Sequence, residues 1–317
     1  MIAELRMELG LSQAQLADRV NKISGKCLTR WDVSRWEAGR RVPVGDIPAL
    51  AVALDVAESV LDEAAEEARR ARRPDTVTAD ALEGVLLSHR KLEDTVGSRV
   101  VLPAAIAHQK QAETVLREAR GVSRDRLASV ASSSAQFSGW LTAYLRQFGK
   151  ADRFYDKALR IALEANDDDA ASTALAMRGH LAWMRDDVGE MIALSRAARK
   201  LAVRPATKTI ATQQQARAHA LEGDEVSALR LFDAAEESYD PEATAPDSAY
   251  FYSPPYLMMQ RGIVMFYLGR FQDAAALIGQ GLAELPEEIR NAEWMDWYKN
   301  IKADAEGGGR KLATIQR

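Results

Sequence analysis

The chain has 317 residues, 42 Lys and Arg against 46 Asp and Glu for a formal net charge of −4, and 47% hydrophobic residues. That length suits two domains with substantial cores, and no apolar run approaches the roughly 18 residues of a membrane span. One cysteine, Cys27, excludes an internal disulfide framework and fits a reducing cytoplasm.

Helix one starts at the first residues, without the basic lead and apolar core of a signal peptide. Ser12 is placed to cap a second helix, along which Leu16, Ala17 and Val20 form a compact apolar stripe. Thr29 can cap the next, with Val33 and Trp36 on its buried side and Gly39 as its stop. Two short helices so spaced form a helix-turn-helix, whose second helix enters the major groove of DNA. Residues 19–41 hold Arg19, Lys22, Lys26, Arg30, Arg35, Arg40 and Arg41 against Asp32 and Glu37, a local charge of +5 on an acidic chain. A basic segment coinciding with that spacing is the footprint of a small DNA-reading module. Asp46–Leu54 and Val56 to about Arg73 read as two more helices, and the Arg-rich stretch 69–73 before Pro74 reads as a helix end and linker.

The segments SQAQLA and LTRWDVSRWEAGRRVP resemble the lambda-repressor-like (Xre-type) helix-turn-helix family over roughly the first sixty residues. The turn Asn21–Leu28 is longer than the family's and is similar to that of a long-turn variant. The resemblance implies base readers at Arg30, Trp31 and Arg35, with Arg matching guanine and Trp31 meeting a thymine methyl or a sugar. It implies phosphate contacts from Gln13, Arg40 and Arg41, and adds Thr29 and Ser34 to the DNA-facing set. It also implies a structural pair, Arg6–Glu37, between helix one and the recognition helix.

Beyond residue 74 almost every segment has helical period, and alternating strand patterns are absent. Aligned on Ala158, Ala198, Ala235 and Gly281, small residues recur nineteen positions upstream (Gly139, Gly179, Ala216, Gly262). Seven positions upstream stand Ala151, Met191, Ala228 and Ala274. Arg146, Asp186, Gly223 and Gly269 occupy the turn, and Pro286 stands where the last unit should stop. The pattern resembles divergent tetratricopeptide repeats over about 135–286, with more degenerate units at 78–131 and a Pro-rich aromatic insertion at 239–255. The expected fold is therefore all-α, a helix-turn-helix domain at 1–73 followed by a tetratricopeptide-like α-solenoid at 74–317. The first helix of each unit should line a concave groove. Its inward positions are Gln136, Trp140 and Tyr144, then His180 and Trp183, then Gln213 and Arg217, and last Tyr256, Met259 and Phe266. Amides to hold a peptide backbone and rings to take apolar side chains suit an extended peptide.

An Xre-type reader joined to such an array is similar to the peptide-responsive, quorum-sensing regulators of the Rgg, PlcR and PrgX type. The resemblance implies transcription regulation by a cytoplasmic homodimer on an inverted-repeat operator in double-stranded DNA. A signalling peptide or other small ligand in the groove would alter operator affinity. None of Asn21, Asn166, Asn291 and Asn300 falls at an inward position, although those regulators clamp peptides with asparagine; Gln136 and Gln213 are the substitutes. The alternative keeps DNA binding and makes the array a ligand-independent dimerisation or docking scaffold. Catalysis finds no support. Asp167–Asp169 falls at an inter-helix turn, and neither a phosphate-cradling glycine loop nor a nucleophile–base set is present. The four histidines (His89, His108, His180, His219) lack metal-ligand spacing, and no cofactor is expected.

Overall fold

The computed structural model describes residues 1–70, 74–240 and 250–309, and every regular element among them is helical. The chain divides into two compact units, Met1–Arg73 and Pro74–Arg317.

The first unit holds α1 (Ile2–Glu8), α2 (Gln13–Ser24), α3 (Arg30–Glu37), α4 (Ile47–Leu54) and α5 (Glu58–Arg70). Ser12 starts α2 with a capping box: its hydroxyl accepts from the Gln15 N–H at 3.2 Å while the Gln15 side chain accepts from the Ser12 N–H at 2.8 Å. The expected stripe is the core, where Leu16, Val20, Val33 and Leu50 are fully buried and Trp36 is nearly so. Each such aliphatic side chain contributes about 1.5–3 kcal/mol by leaving water. Gly39 ends α3 in the left-handed region (φ 63), and the Arg40 and Gly39 N–H groups return to the Arg35 and Trp36 carbonyls at 2.8 and 3.0 Å. That is a Schellman stop, which needs a residue free to adopt positive φ. The long turn is shorter than the sequence suggests, because α2 runs on to Ser24 and closes at Gly25 (φ 68). The Asn21 amide then clamps the remaining loop, donating to the Leu28 carbonyl at 2.8 Å and accepting from its N–H at 2.7 Å. Of the Arg-rich stretch 69–73, residues 71–73 lie outside the described residues.

The second unit is a stack of antiparallel hairpins. A long pair, α6 (Thr76–Val96) and α7 (Ser98–Glu118), turns at Gly97. It is followed by α8 (Val122–Tyr144), α9 (Phe148–Glu164), α10 (Asp168–Met184), α11 (Val188–Leu201), α12 (Pro205–Glu222), α13 (Glu225–Ser238), α14 (Pro254–Tyr267) and α15 (Phe271–Glu284). Helices 8 and 9, 10 and 11, 12 and 13, and 14 and 15 pair as the alignment requires. Region 78–131 holds one further hairpin and the start of α8 rather than several degenerate units.

Three repeated features explain the hairpins. All four turn positions, Arg146 (φ 57), Asp186 (φ 65), Gly223 (φ 78) and Gly269 (φ 76), are left-handed. The small residues allow close helix approach: a Cβ on Gly139 would lie 2.5 Å from the Tyr155 ring, and one on Gly262 would lie 2.6 Å from Ile278. Ser132 and Ser172 each donate to a carbonyl of the paired helix, Ala158 at 2.9 Å and Ala198 at 2.8 Å, and the equivalent Thr209 meets Ser238 at 3.0 Å. In the last hairpin Pro255 replaces that hydroxyl, and its carbonyl would be 2.6 Å from a Cβ on Gly281.

The array does not stop at Pro286. A short α16 (Glu287–Arg290), a 3₁₀ turn (Glu293–Met295) and α17 (Asp296–Glu306) follow, with α17 packed on α14 and α15. The 3₁₀ turn reaches α6, so the two ends of the stack meet. The groove expected to be open is thereby closed on one side into a cavity. Residues 241–249 of the insertion lie outside the described residues.

Candidate DNA-reading face and candidate ligand cavity

On the first unit, α3 leaves one side in solvent. Arg30, Trp31 and Arg35 are exposed, as are Thr29, Arg40 and Arg41, while Ser34 and Gln13 are half-buried. Trp31 is 62% exposed, a large ring left in water beside charges. The Arg30 guanidinium stacks on it, 4.6 Å from the ring centroid. Asp32 organises this side. It accepts from the Thr29 N–H and hydroxyl, both at 2.9 Å, and pairs with Arg35 at 3.1 Å and Arg41 at 3.6 Å. The Thr29 bonds first, then the two arginines, hold the Asp32 carboxyl below the usual carboxylate range. Thr29 thus caps α3 through Asp32, with its hydroxyl as a donor.

The basic segment divides by role. Arg19 donates to the Ala53 carbonyl at 3.1 Å, and Lys26 pairs with Asp46 at 2.7 Å, so both brace the fold. Lys22, Arg30, Arg35, Arg40 and Arg41 are exposed. The expected structural pair is present: Arg6 Nε meets Glu37 Oε1 at 2.6 Å, with the side chains 14% and 10% exposed. Gln13, expected against phosphate, donates its side-chain NH₂ to Glu37 Oε2 at 2.7 Å. It sits at the first turn of α2, within reach of the C-terminal end of α3, and joins Arg6 in holding that carboxylate.

In the second unit a cavity of about 430 Å³ lies among α6, α8, α10, α12, α14 and α17. Eight of the ten expected groove residues line it: Gln136, Trp140, Tyr144, His180, Trp183, Gln213, Arg217 and Tyr256. Met259 and Phe266 do not. Both are buried in the core with Ile278, Met295 and Ile301, because α17 stacks on the last hairpin and takes that face of α14. Gln260, one position on, faces the cavity in place of Met259.

The cavity wall is rich in aromatic rings. His180 lies 5.0 Å from Trp183 and 5.8 Å from Trp140, and Trp297 lies 5.1 Å from Trp183 and 4.9 Å from Tyr298. Polar groups are wired into it. Gln213 donates to Gln260 at 2.8 Å, Gln260 donates to the Tyr298 hydroxyl at 2.5 Å, and Tyr298 meets Tyr256 at 2.9 Å. Arg217 Nη2 lies 3.0 Å from His180 Nδ1, and its Cζ is 4.8 Å from the Trp183 centroid. Burial first, then the Arg217 charge, pushes His180 down to about 3. The ring is therefore neutral, with Nδ1 accepting from Arg217 and the proton on Nε2. Glu93 on α6 is pushed up to about 7, chiefly by burial, although the Ser98 hydroxyl donates to it at 2.7 Å.

Sequence reasoning missed the closing elements: Glu93, the aromatics 250–252, and Trp294, Trp297 and Tyr298. The run Trp294-Met295-Asp296-Trp297-Tyr298, with three rings in five residues past the expected end of the array, was the available signal. Asp167 caps α10 by accepting from the Ala170 N–H at 2.9 Å, and Asp169 accepts from the Val203 and Arg204 N–H groups at 2.9 and 3.0 Å. Asp167 and Asp169 thus hold the ends of helices in place. Among the described residues no group of three His, Cys, Asp or Glu side chains is placed to hold a metal, and no helix is long and apolar enough to cross a membrane.

No curated protein matches the chain. Among solved structures, Bacillus thuringiensis PlcR in complex with the peptide PapR7 and DNA is similar at 12% identity over 98% of each chain, with a TM-score of 0.38. Residues 2–64 match the family model for a helix-turn-helix domain, so the N-terminal unit is a helix-turn-helix domain.

Proposed function

We propose that the chain is a sequence-specific DNA-binding transcriptional regulator whose second unit binds a short signalling peptide or other small ligand. The observation that carries the DNA part is the exposed side of α3. Arg30, Trp31 and Arg35 stand in solvent there, with Arg40 and Arg41 just past the helix stop. A stacked Arg–Trp pair and arginines oriented by Asp32 supply forked donors for base edges, while the arginines past the stop are placed for phosphate. Thr29 and Ser34 complete the face. Gln13 acts through Glu37.

The ligand part rests on the cavity. A volume of about 430 Å³ falls within the roughly 300–1,000 Å³ of small-ligand sites, and its lining combines aromatic rings with amide and charged side chains that can orient a ligand. A ligand there changes operator affinity only by the difference in its binding to the DNA-competent and incompetent states. Binding as a homodimer on an inverted repeat supplies the affinity that one small reader lacks. Mobility shift on selected duplexes, with light scattering of the free and bound protein, tests this reading. Two copies per operator are expected, and a monomer at micromolar concentration with and without DNA overturns the dimer.

A further inference from the structure

Arg217 is 3% exposed, on α12 at the wall of the cavity. Among the described residues its charge has no counter-charge. Its partners are the neutral His180 ring and the face of Trp183, and its Nε is buried without a hydrogen-bond partner. Among the described residues no carboxylate lies within ion-pair distance of it. The two carboxylates that line the cavity are engaged elsewhere, Glu93 by Ser98 at 2.7 Å and Asp296 by Lys299 at 2.9 Å. A guanidinium removed from water without an anion is costly, and a bound anionic group would offset that cost.

We propose that the cavity binds a small organic anion, with Arg217 as the counter-ion of its carboxylate and the His180–Trp183–Trp297 rings as the walls for a planar apolar body. This rests on the reading of the second unit as a ligand-binding unit and names the ligand's chemistry. The Arg fork matches a carboxylate with two parallel N–H donors, and His180 fixes that fork by accepting from Nη2. The rings pack against one another, His180 on Trp183 at 5.0 Å and Trp183 on Trp297 at 5.1 Å, and so form one continuous wall on which an aromatic or branched aliphatic body can lie. Three further polar atoms of the lining are buried without partners, Tyr252 Oη, Trp297 Nε1 and Gln214 Oε1, and they offer two donors and one acceptor to a second polar group of the ligand. The same carboxylate chemistry can come from a free organic acid or from the C-terminus of a short peptide.

The test titrates the full chain, by tryptophan fluorescence and thermal unfolding, with isosteric pairs that differ only in charge. Indole-3-acetate is set against indole-3-acetamide, and a Leu-Phe dipeptide against its C-terminal amide, with inorganic phosphate as a bare anion. The acids should bind at least tenfold more tightly than their amides, and phosphate should bind far more weakly than either acid. A stronger response to the dipeptide acid assigns the source to a peptide C-terminus, and a stronger response to the indole acid assigns it to a free organic acid. Arg217→Met should abolish the preference for acids while raising the unfolding midpoint of the unliganded chain, because it removes the uncompensated charge. Arg217→Lys should keep a reduced preference. Equal binding of acids and amides, no binding of either acid at millimolar concentration, or an acid preference that survives Arg217→Met overturns the proposal. DNA capture measured on the same preparations separates the two levels. Its persistence beside a failed acid test removes only the anion, whereas its absence removes the regulator reading.

Discussion

Trp294 donates its indole N–H to Asp94 at 2.8 Å, joining the 3₁₀ turn before α17 to the end of α6 across 200 positions of sequence. Tyr250 donates its hydroxyl to the same carboxylate. These bonds close the solenoid: they tie its last elements to its first, and the cavity exists because of that closure.

Trp294→Phe keeps the ring packing but leaves Asp94 buried with one donor fewer. An unsatisfied buried acceptor costs about 1–3 kcal/mol, more when charged. The unfolding midpoint in urea should fall accordingly for the second unit, with little change in the first. An unchanged midpoint would show that the closure contributes nothing to stability.

Glu93 introduces a pH dependence of the opposite sign to the usual carboxylate. Burial raises it from 4.5 to about 7, with Asp94 and Glu293 adding repulsion and Ser98 opposing through its hydrogen bond. A group whose folded value exceeds its unfolded one contributes stability that is whole below pH 4.5 and is lost as pH rises through about 7. That amounts to about 3 kcal/mol between the limits. Thermal unfolding should therefore show the second unit less stable at pH 8 than at pH 6, and Glu93→Gln should flatten that slope. A slope unaltered by Glu93→Gln would contradict this assignment.

Arg6 and Glu37 couple α1 to α3 at 2.6 Å. Burial opposes the Glu37 charge, but the bonds from Arg6 and Gln13 outweigh it and hold the carboxyl below its usual 4.5. Stability from this pair is present above 4.5 and lost as pH falls through the lower folded value. Glu37→Ala leaves a guanidinium uncompensated in a partly buried site, at a cost of about 2–3 kcal/mol. Arg6→Met combined with Glu37→Ala should recover part of it. Denaturation of the four members of that double-mutant cycle gives the coupling.

Asp186 holds a left-handed turn (φ 65) where the equivalent positions in later hairpins are Gly223 and Gly269. Asp186→Gly should stabilise by up to about 1 kcal/mol and Gly223→Ala should destabilise by about as much, since a side chain is strained at positive φ. Equal and negligible shifts in midpoint would contradict the shared turn geometry.

The hairpins were legible because their determinants are local and repeat. Gly139 and Gly262 sit where helices touch, and Arg146 and Asp186 sit where the turn is left-handed. The N-terminal unit was legible through Ser12, Val33, Trp36 and Gly39, each with one conformational job. What escaped was set by distant contacts. The Asp94–Trp294 bond has no periodic signature, so the closure was invisible, and with it the change from groove to cavity. Met259 and Phe266 follow from the same omission: without α17, nothing in α14 shows which apolar face is covered. The bond from Gln13 to Glu37, twenty-four residues away, escaped for the same reason, since nothing at the helix start points to it.

The exposed side of α3 is tested most directly by selecting duplexes from a random library with the full chain, then measuring the salt dependence of binding for single variants. An inverted-repeat site should emerge, and Arg30→Ala and Arg35→Ala should each relax the base preference in its half-site by about 1–3 kcal/mol of discrimination. Arg40→Ala should weaken all sequences alike and reduce the salt slope by about 1. Failure to enrich any duplex at moderate salt, or equal and sequence-independent losses from all three variants, would contradict the account.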